Sequence, residues 1–170
     1  PPNQVTINTN GNDGTINSAI TEAARGTGLV KNGGGILALF GNNTYSGGTN
    51  LNQGTIAIKA DSGLGATNAG LTMADGTTLR LDDDVTSASR PITLTSGQGT
   101  IDTQDNTGTL GGVIGGAGKM VKDGTRTLIP TNQNTRCGGP GVSPSGLQTG
   151  NGGTNGRNQG NVVQKRAPVL

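Results

Sequence analysis

The chain has 170 residues, 33 of them Gly, with 29% hydrophobic and 1% aromatic residues and a net charge of +2. With so few large apolar side chains, each of which stabilises by ~1.5–3 kcal/mol when fully buried, a thick two-layer core is excluded, leaving a narrow repetitive core or disorder. The absence of His and the single Cys137 exclude a Ser–His–Asp or Cys–His centre, a zinc cluster and an intrachain disulfide.

In sequence order, the first alternating pair is Val5/Ile7. The segment Asn17–Arg25, with Asn17 or Ser18 as a cap and Glu22 in the first turns, predicts the one short helix of the protein. After it the apolar residues fall in period-2 groups: Leu37/Leu39, Ile56/Ile58, Leu71/Met73, Leu79/Leu81 and Ile92/Leu94. Each group is flanked by Thr, Lys, Arg or Asp and closed by Gly, Asn or Asp, the pattern of short strands ended by turns. Strands are expected at 35–39, 55–59, 77–81 and 91–95, stacked in parallel with Leu and Ile facing inward. Such spacing fits a sandwich, a barrel or a solenoid. Sandwiches and barrels need bulky fillers that this composition lacks. A parallel β-solenoid stacks strands ~4.8 Å apart around a thin core and can line its corners with Asn and Thr ladders. Rungs of roughly 20–25 residues would place five or six of them in the first 128 residues.

An internal repeat supports the solenoid. Lys31–Thr49 (KNGGGILALFGNNTYSGGT) aligns without a gap on Lys122–Pro140 (KDGTRTLIPTNQNTRCGGP). The coincident pairs are Lys31/Lys122, Gly33/Gly124, Leu37/Leu128, Asn43/Asn134, Thr44/Thr135, Gly47/Gly138 and Gly48/Gly139. In the second copy Arg136 stands for Tyr45, Pro140 for Thr49 and Pro130 for Leu39. Proline cannot donate to a ladder and is confined to edges or bulges, so the solenoid is expected to fray after Leu128.

The stretch 26–58 (GTGLVKNGGGILALFGNNTYSGGTNLNQGTIAI) resembles the autotransporter-associated β-strand repeat, also called the passenger-associated transport repeat. The motif residues that carry the resemblance are Lys31, Gly33, Leu37, Leu39, Asn43, Thr44, Tyr45, Gly47, Gly48 and Thr49. Residues 69–122 are similar to the segments between repeats in those proteins, so the likeness runs from about Gly26 to Leu128. It implies an all-β, right-handed parallel β-helix displayed on or released from a Gram-negative surface, with no cofactor. It also implies a partner, the passenger's own C-terminal β-barrel translocator, whose repeated amphipathic strands of about ten residues do not occur in this sequence. Host-surface or cell–cell contacts would be the further partners. The start at Pro1, without Met or signal peptide, reads as an internal piece of something longer. The expected organisation is an N-terminal rung or cap-like segment over 1–25, passenger repeats over 26–128, and a degenerate repeat with an irregular, loosely ordered tail over 129–170.

Candidate chemistry is thin. Gly47 and Gly48 suit a rung corner, with Tyr45 covering the adjacent apolar edge and offering a ligand contact. Gly115–Lys119 (GGAGK) fails the phosphate-loop pattern, because Val113 and Met120 occupy positions that need Gly and Ser/Thr. Asp82–Asp84 reads as a solvated turn; as a calcium site it would need partners such as Asp61 or Asp75 from a neighbouring rung. All 10 acidic residues lie at or before Asp123, whereas Arg126, Arg136, Arg157, Lys165 and Arg166 follow. Those five are widely spread, without aromatics between them for base stacking, and predict a solvated tail rather than a nucleic-acid partner. The reading is a non-catalytic surface segment acting as scaffold, with adhesion as a further role. The alternative is a fragment of a β-helical polysaccharide-degrading enzyme.

Overall fold

The structure, a computed structural model, describes residues 3–132 and the strand Val162–Gln164. It is a parallel β-solenoid. One face is a six-stranded sheet of β1 (Gln4–Asn8), β3 (Gly28–Asn32), β5 (Thr49–Leu51), β7 (Leu71–Met73), β10 (Ile92–Leu94) and β13 (Ile114–Gly116). A second face stacks β2 (Gly14–Ile16), β4 (Ile36–Leu39), β6 (Thr55–Ile58), β8 (Thr77–Leu81), β11 (Gln98–Asp102) and β14 (Lys119–Asp123), with β16 (Val162–Gln164) paired beyond β14. A third, shorter face of β9 (Val85–Ser87), β12 (Gly108–Leu110) and β15 (Leu128–Pro130) closes the last three rungs. In the earlier rungs that side is irregular, and it includes a 3-10 turn over Asp61–Leu64. Bonds between neighbouring rungs join residues such as Asn32 and Asn52, 20 apart, and Leu81 and Asn106, 25 apart.

Alternation places one column of side chains after another inside. On the second face Leu37, Ile56, Leu79 and Ile101 lie directly above one another. On the first, Leu29, Thr49, Leu71, Ile92 and Ile114 do the same. All are buried, and the aliphatic ones form a single core with Leu39, Leu51, Ile58, Met73, Leu81 and Leu94. A core one side chain deep needs only Leu, Ile, Val and Met, which explains how a protein with one Phe and one Tyr folds. Glycines sit where the walls come closest: a Cβ on Gly108 would lie 2.7 Å from Leu81 Cδ1 and 2.9 Å from Leu128 Cδ1.

Three expectations are corrected. No α-helix forms over Asn17–Arg25. The amide of Ile20 donates to Asn43 Oδ1 and its carbonyl accepts from Thr44, while Glu22 accepts from Ser46 and Thr27. Bonds to the next rung thus replace the local i to i−4 ladder. The strand expected at 91–95, observed as β10, stacks on β7 of the first face rather than on the column of β4, β6 and β8. The last rung also runs on past Leu128. Pro130 ends β15, the outer strand of its sheet. Thr131 N then donates to Leu110 O (2.9 Å) and Asn132 Nδ2 to Gly111 O (3.2 Å). An edge position is where a proline's missing donor costs least. Of the tail expected at 129–170, residues 129–132 and the strand Val162–Gln164, paired with β14, are described; the rest, including Asn134, Thr135, Arg136, Cys137, Gly138, Gly139 and Pro140, lies outside the described residues.

Because each rung contacts only its neighbours, a cavity in a central rung cannot be refilled from a thicker core. Leu79→Ala is expected to destabilise by about 2–5 kcal/mol, against under about 0.5 kcal/mol for Val5→Ala on the half-exposed first strand. Urea denaturation followed by circular dichroism checks this; equal midpoints for the two variants would contradict the stacked core.

Candidate functional site

The repeat-motif residues converge on two corners of the solenoid, and each has a definable task. At the corner between β3 and β4, Lys31 belongs to the inward column that also holds Ile7, Leu51, Met73 and Leu94. Its stem takes an aliphatic position while its buried ammonium donates to Gly33 O (2.5 Å), Thr9 Oγ1 (3.0 Å), Gln53 O (3.1 Å) and Asn32 O (3.2 Å). A cation thus satisfies corner oxygens from three successive rungs. Burial pushes the Lys31 pKa below its usual value. Gly33 bends the backbone at φ +79°, where a Cβ would strike Asn8. Beside it the side chains of Asn32 and Asn52 stack, Asn52 Nδ2 donating to Asn32 Oδ1 at 2.9 Å. Leu37 and Leu39 follow into the core.

At the next corner Asn43 is buried and bridges rungs on both sides. Its Oδ1 accepts from Ile20 N (2.8 Å) and its Nδ2 donates to Gly63 O (2.7 Å). Thr44 donates its amide to Ile20 O and is itself exposed, in neither sheet. Tyr45 does not cover an edge, as its flanking sequence suggests; it is 1% exposed and part of the core. Its hydroxyl lies 2.7 Å from Thr49 Oγ1, which donates to Leu64 O at 3.2 Å. That geometry makes the phenol the donor to Thr49 and removes it from ligand contact. Gly47 passes against Gly26, and Gly48 turns at φ +84° before β5.

Lys122, the repeat partner of Lys31, rebuilds the first corner elsewhere. Its ammonium donates to Gly124 O (2.8 Å), Asp123 O (3.2 Å) and Thr103 Oγ1 (3.3 Å), with Thr103 standing where Thr9 stands for Lys31. Burial again lowers the lysine's pKa, which nearby Asp123 and Asp102 partly oppose. Yet Lys31 lies in a strand of the first face and Lys122 in one of the second. The sequence repeat therefore superposes two different corners.

Arg90, which carries no motif or periodic signal, is the most heavily bonded side chain of the interior. It is 2% exposed, and its Nε and Nη2 hold Asp61 Oδ1 and Oδ2 at 2.8 and 3.1 Å. Further bonds reach the carbonyls of Asp61, Leu64, Gly65 and Ala69. One guanidinium thereby fastens the irregular side of one rung to the rung that follows it. Asp61 is thus committed to an ion pair with Arg90. Asp82 pairs with Arg80 at 2.6 Å, Asp84 Oδ1 accepts from Thr107 N, and Asp75 Oδ1 accepts from Gln98 N. Among the described residues no group of three or more His, Cys, Asp and Glu could hold a metal ion. Gly115–Lys119 crosses from β13 into β14, a strand–turn–strand without the helix a phosphate loop needs.

Arg90→Met leaves a buried carboxylate and the carbonyls of Asp61, Gly65 and Ala69 without the Arg90 donor, Leu64 O keeping Thr49, and is expected to cost about 3–5 kcal/mol in urea denaturation; a loss under about 1 kcal/mol would contradict the hub. Tyr45 supplies a second test, since its pKa is raised to about 12, chiefly by burial and against the opposing pull of Thr49 and Arg90. A raised folded pKa contributes stability that is complete below the unfolded value near 10 and is lost as pH rises through about 12. Lys31 and Lys122, with lowered pKa values, act oppositely: their unfolded forms hold protons more tightly, so their contribution rises with pH up to 10.5. Tyr45 is the one Tyr of the sequence and there is no Trp, so near-ultraviolet phenolate absorbance reports it alone. Its midpoint is expected near 12 in the folded protein and near 10 in urea; coincident midpoints would place the ring in water.

Known proteins resemble this sequence. A family model described as "Passenger-associated-transport-repeat" matches residues 29–58, the segment from β3 to the end of β6. A curated protein of Brucella suis biovar 1 (strain 1330), described as "Adhesin BmaC autotransporter", is 40% identical over 157 residues. That alignment takes in 92% of this chain and 4% of the relative, so the chain spans a small part of that protein's length. No solved structure matches the chain. The repeat, the likeness along nearly the whole sequence and the parallel solenoid agree: the chain carries a passenger-associated transport repeat and is similar to an autotransporter adhesin.

Proposed function

We propose that this chain is a non-catalytic, load-tolerant rod within an autotransporter passenger, a scaffold that supports passenger folding and secretion and holds an adhesive surface away from the cell. The observation that carries this reading is where the polar chemistry goes. Lys31, Asn43, Arg90 and Lys122, the side chains best equipped for recognition or catalysis, bond between rungs inside the solenoid. Outward positions are left to Thr, Asn and scattered charges, a surface suited to broad contact rather than turnover. The acids that an enzymatic reading would need are engaged separately, as described above.

The relative's description as an adhesin supports an adhesive role, and its description as an autotransporter supports surface display or release outside the cell. The partner implied is the passenger's own β-barrel translocator. Residues 26–128 would form the repeat unit, 1–25 its entry rung, and 129–170 the degenerate copy. Lys31, Gly33, Leu37, Leu39, Asn43, Thr44, Tyr45, Gly47, Gly48 and Thr49 would serve as the structural signature that lets one rung template the next.

The test is display in a Gram-negative host, with the protein fused ahead of a β-barrel translocator. Replacing residues 29–58 by a Gly/Ser linker of equal length is expected to lower protease-resistant passenger at the surface about tenfold, a change of ~1.4 kcal/mol in a two-state balance, with barrel levels unchanged. Undiminished display would remove the role in folding and secretion. Attachment of the displaying cells to host cells, compared with barrel alone, separately decides adhesion.

A further inference from the structure

Two Asn-Gly pairs lie among the described residues, Asn10-Gly11 and Asn32-Gly33, and the fold treats them oppositely. Both occupy the same corner of the solenoid, one rung apart. Asn32-Gly33 is held at both reacting groups. The Gly33 amide donates to Gln53 Oε1 at 3.0 Å, and Asn32 Oδ1 accepts from Asn52 Nδ2 at 2.9 Å. The Asn32 main-chain carbonyl also takes a bond from the buried Lys31 ammonium, and a Cβ on Gly33 would strike Asn8. Asn10-Gly11 forms the exposed tip of a tight turn closed by Asn12 N to Thr9 O at 2.9 Å, with Asn10 at φ +50° and Gly11 at φ +85°. A Cβ on Gly11 would meet nothing within 4 Å, and β1 and β2 are the outer strands of their sheets at this end.

We propose that Asn10 is a self-modification site, a deamidating clock on the first rung, and that Asn32 is protected from the same reaction by the rung stacked over it. In the reaction the Gly11 amide nitrogen, losing its proton, attacks Asn10 Cγ. A bond forms between that nitrogen and Cγ, the bond from Cγ to Nδ2 breaks, and ammonia leaves with the proton. Water then opens the resulting succinimide at either carbonyl, giving aspartate or isoaspartate at position 10. No oxidant, metal or enzyme is required. The first rung gains a carboxylate next to the Lys31 corner. In isoaspartate the backbone also gains one methylene, which cannot keep the Asn12-to-Thr9 turn in register. Loss of the first rung's register would follow modification, and the later rungs, which meet only their neighbours, would be spared.

The experiment incubates the full protein at mildly alkaline pH and quantifies the deamidated and isoaspartyl peptides by mass spectrometry against time. Asn10 is expected to convert at least about tenfold faster than Asn32, the ratio that ~1.4 kcal/mol of barrier supplies. Gln53→Ala should speed Asn32 and leave Asn10 unchanged. Gln53→Glu, which keeps an acceptor oxygen for the Gly33 amide, should leave Asn32 slow. In urea the two sites should converge, which shows that the difference belongs to the fold. Equal rates in buffer, a faster Asn32, or an Asn32 rate indifferent to Gln53→Ala would overturn the proposal.

Discussion

The structure depends on one constraint: every inward or corner oxygen must find a donor in its own rung or an adjacent one. In a parallel stack the strands satisfy one another, but at each corner the carbonyls leave the ladder, and those turning inward meet a core too thin to admit water. An unpaired buried carbonyl costs about 1–3 kcal/mol, so a handful of them would offset the gain from the aliphatic columns. The protein answers with buried donors of long reach. Lys31 and Lys122 each collect several corner oxygens on one ammonium, Asn43 joins three rungs with one amide, and Arg90 distributes its donors over a carboxylate and four carbonyls. Such groups are costly to bury singly and tolerable only when fully bonded. Among the described residues the one buried side-chain polar atom without a partner is Ser87 Oγ, in the column of Leu110 and Pro130.

The same constraint accounts for the glycines and for Tyr45. Corners that pass within contact of the previous rung leave no room for a Cβ, as at Gly47, while the positive φ of Gly48 turns the backbone into β5. Tyr45 fills the wide side of the second rung, where no third-face strand exists, and so replaces a strand's worth of packing with one ring. Its hydroxyl then needs a buried acceptor, and Thr49 supplies one four residues later. Tyr and Thr at that spacing are thus one hydrogen-bonded pair rather than two separate preferences.

Much of this is legible in the sequence, and the limits are physical. Period-2 alternation locates β4, β6 and β8 within a residue of their ends, because one buried face forces it. It does not say which face a strand joins, since faces differ by corner geometry rather than by pattern; hence β10 stands in a different stack from the one its pattern suggests. The segment Asn17–Arg25 carries good local helix signals, but Asn43 and Ser46 of the next rung offer its backbone and Glu22 better partners. Arg90 leaves no periodic trace. Its partners lie 21 to 29 residues away on an irregular side of the rung, a distance no local window spans. Lysines 31 and 122 are visible as a repeat, though not as buried groups, because lysine is read as solvated until a column of aliphatic neighbours is known to run through it.

That repeat has a meaning the linear alignment does not convey. Lys31 and Lys122 share a local environment (a Thr from the rung below, the carbonyl of the next residue, then a Gly at positive φ) yet stand at different corners of the cross-section. What the sequence repeats is therefore a way of turning the backbone, independent of which face precedes it. A solenoid assembled from interchangeable corners can change its cross-section along its length, as this one does when the irregular side of rungs two and three gives way to β9, β12 and β15. It does so without interrupting the columns, since Ile56, Leu79 and Ile101 continue through the change. A corner whose bonds reach no farther than the adjacent rungs lets the polypeptide order itself one rung at a time.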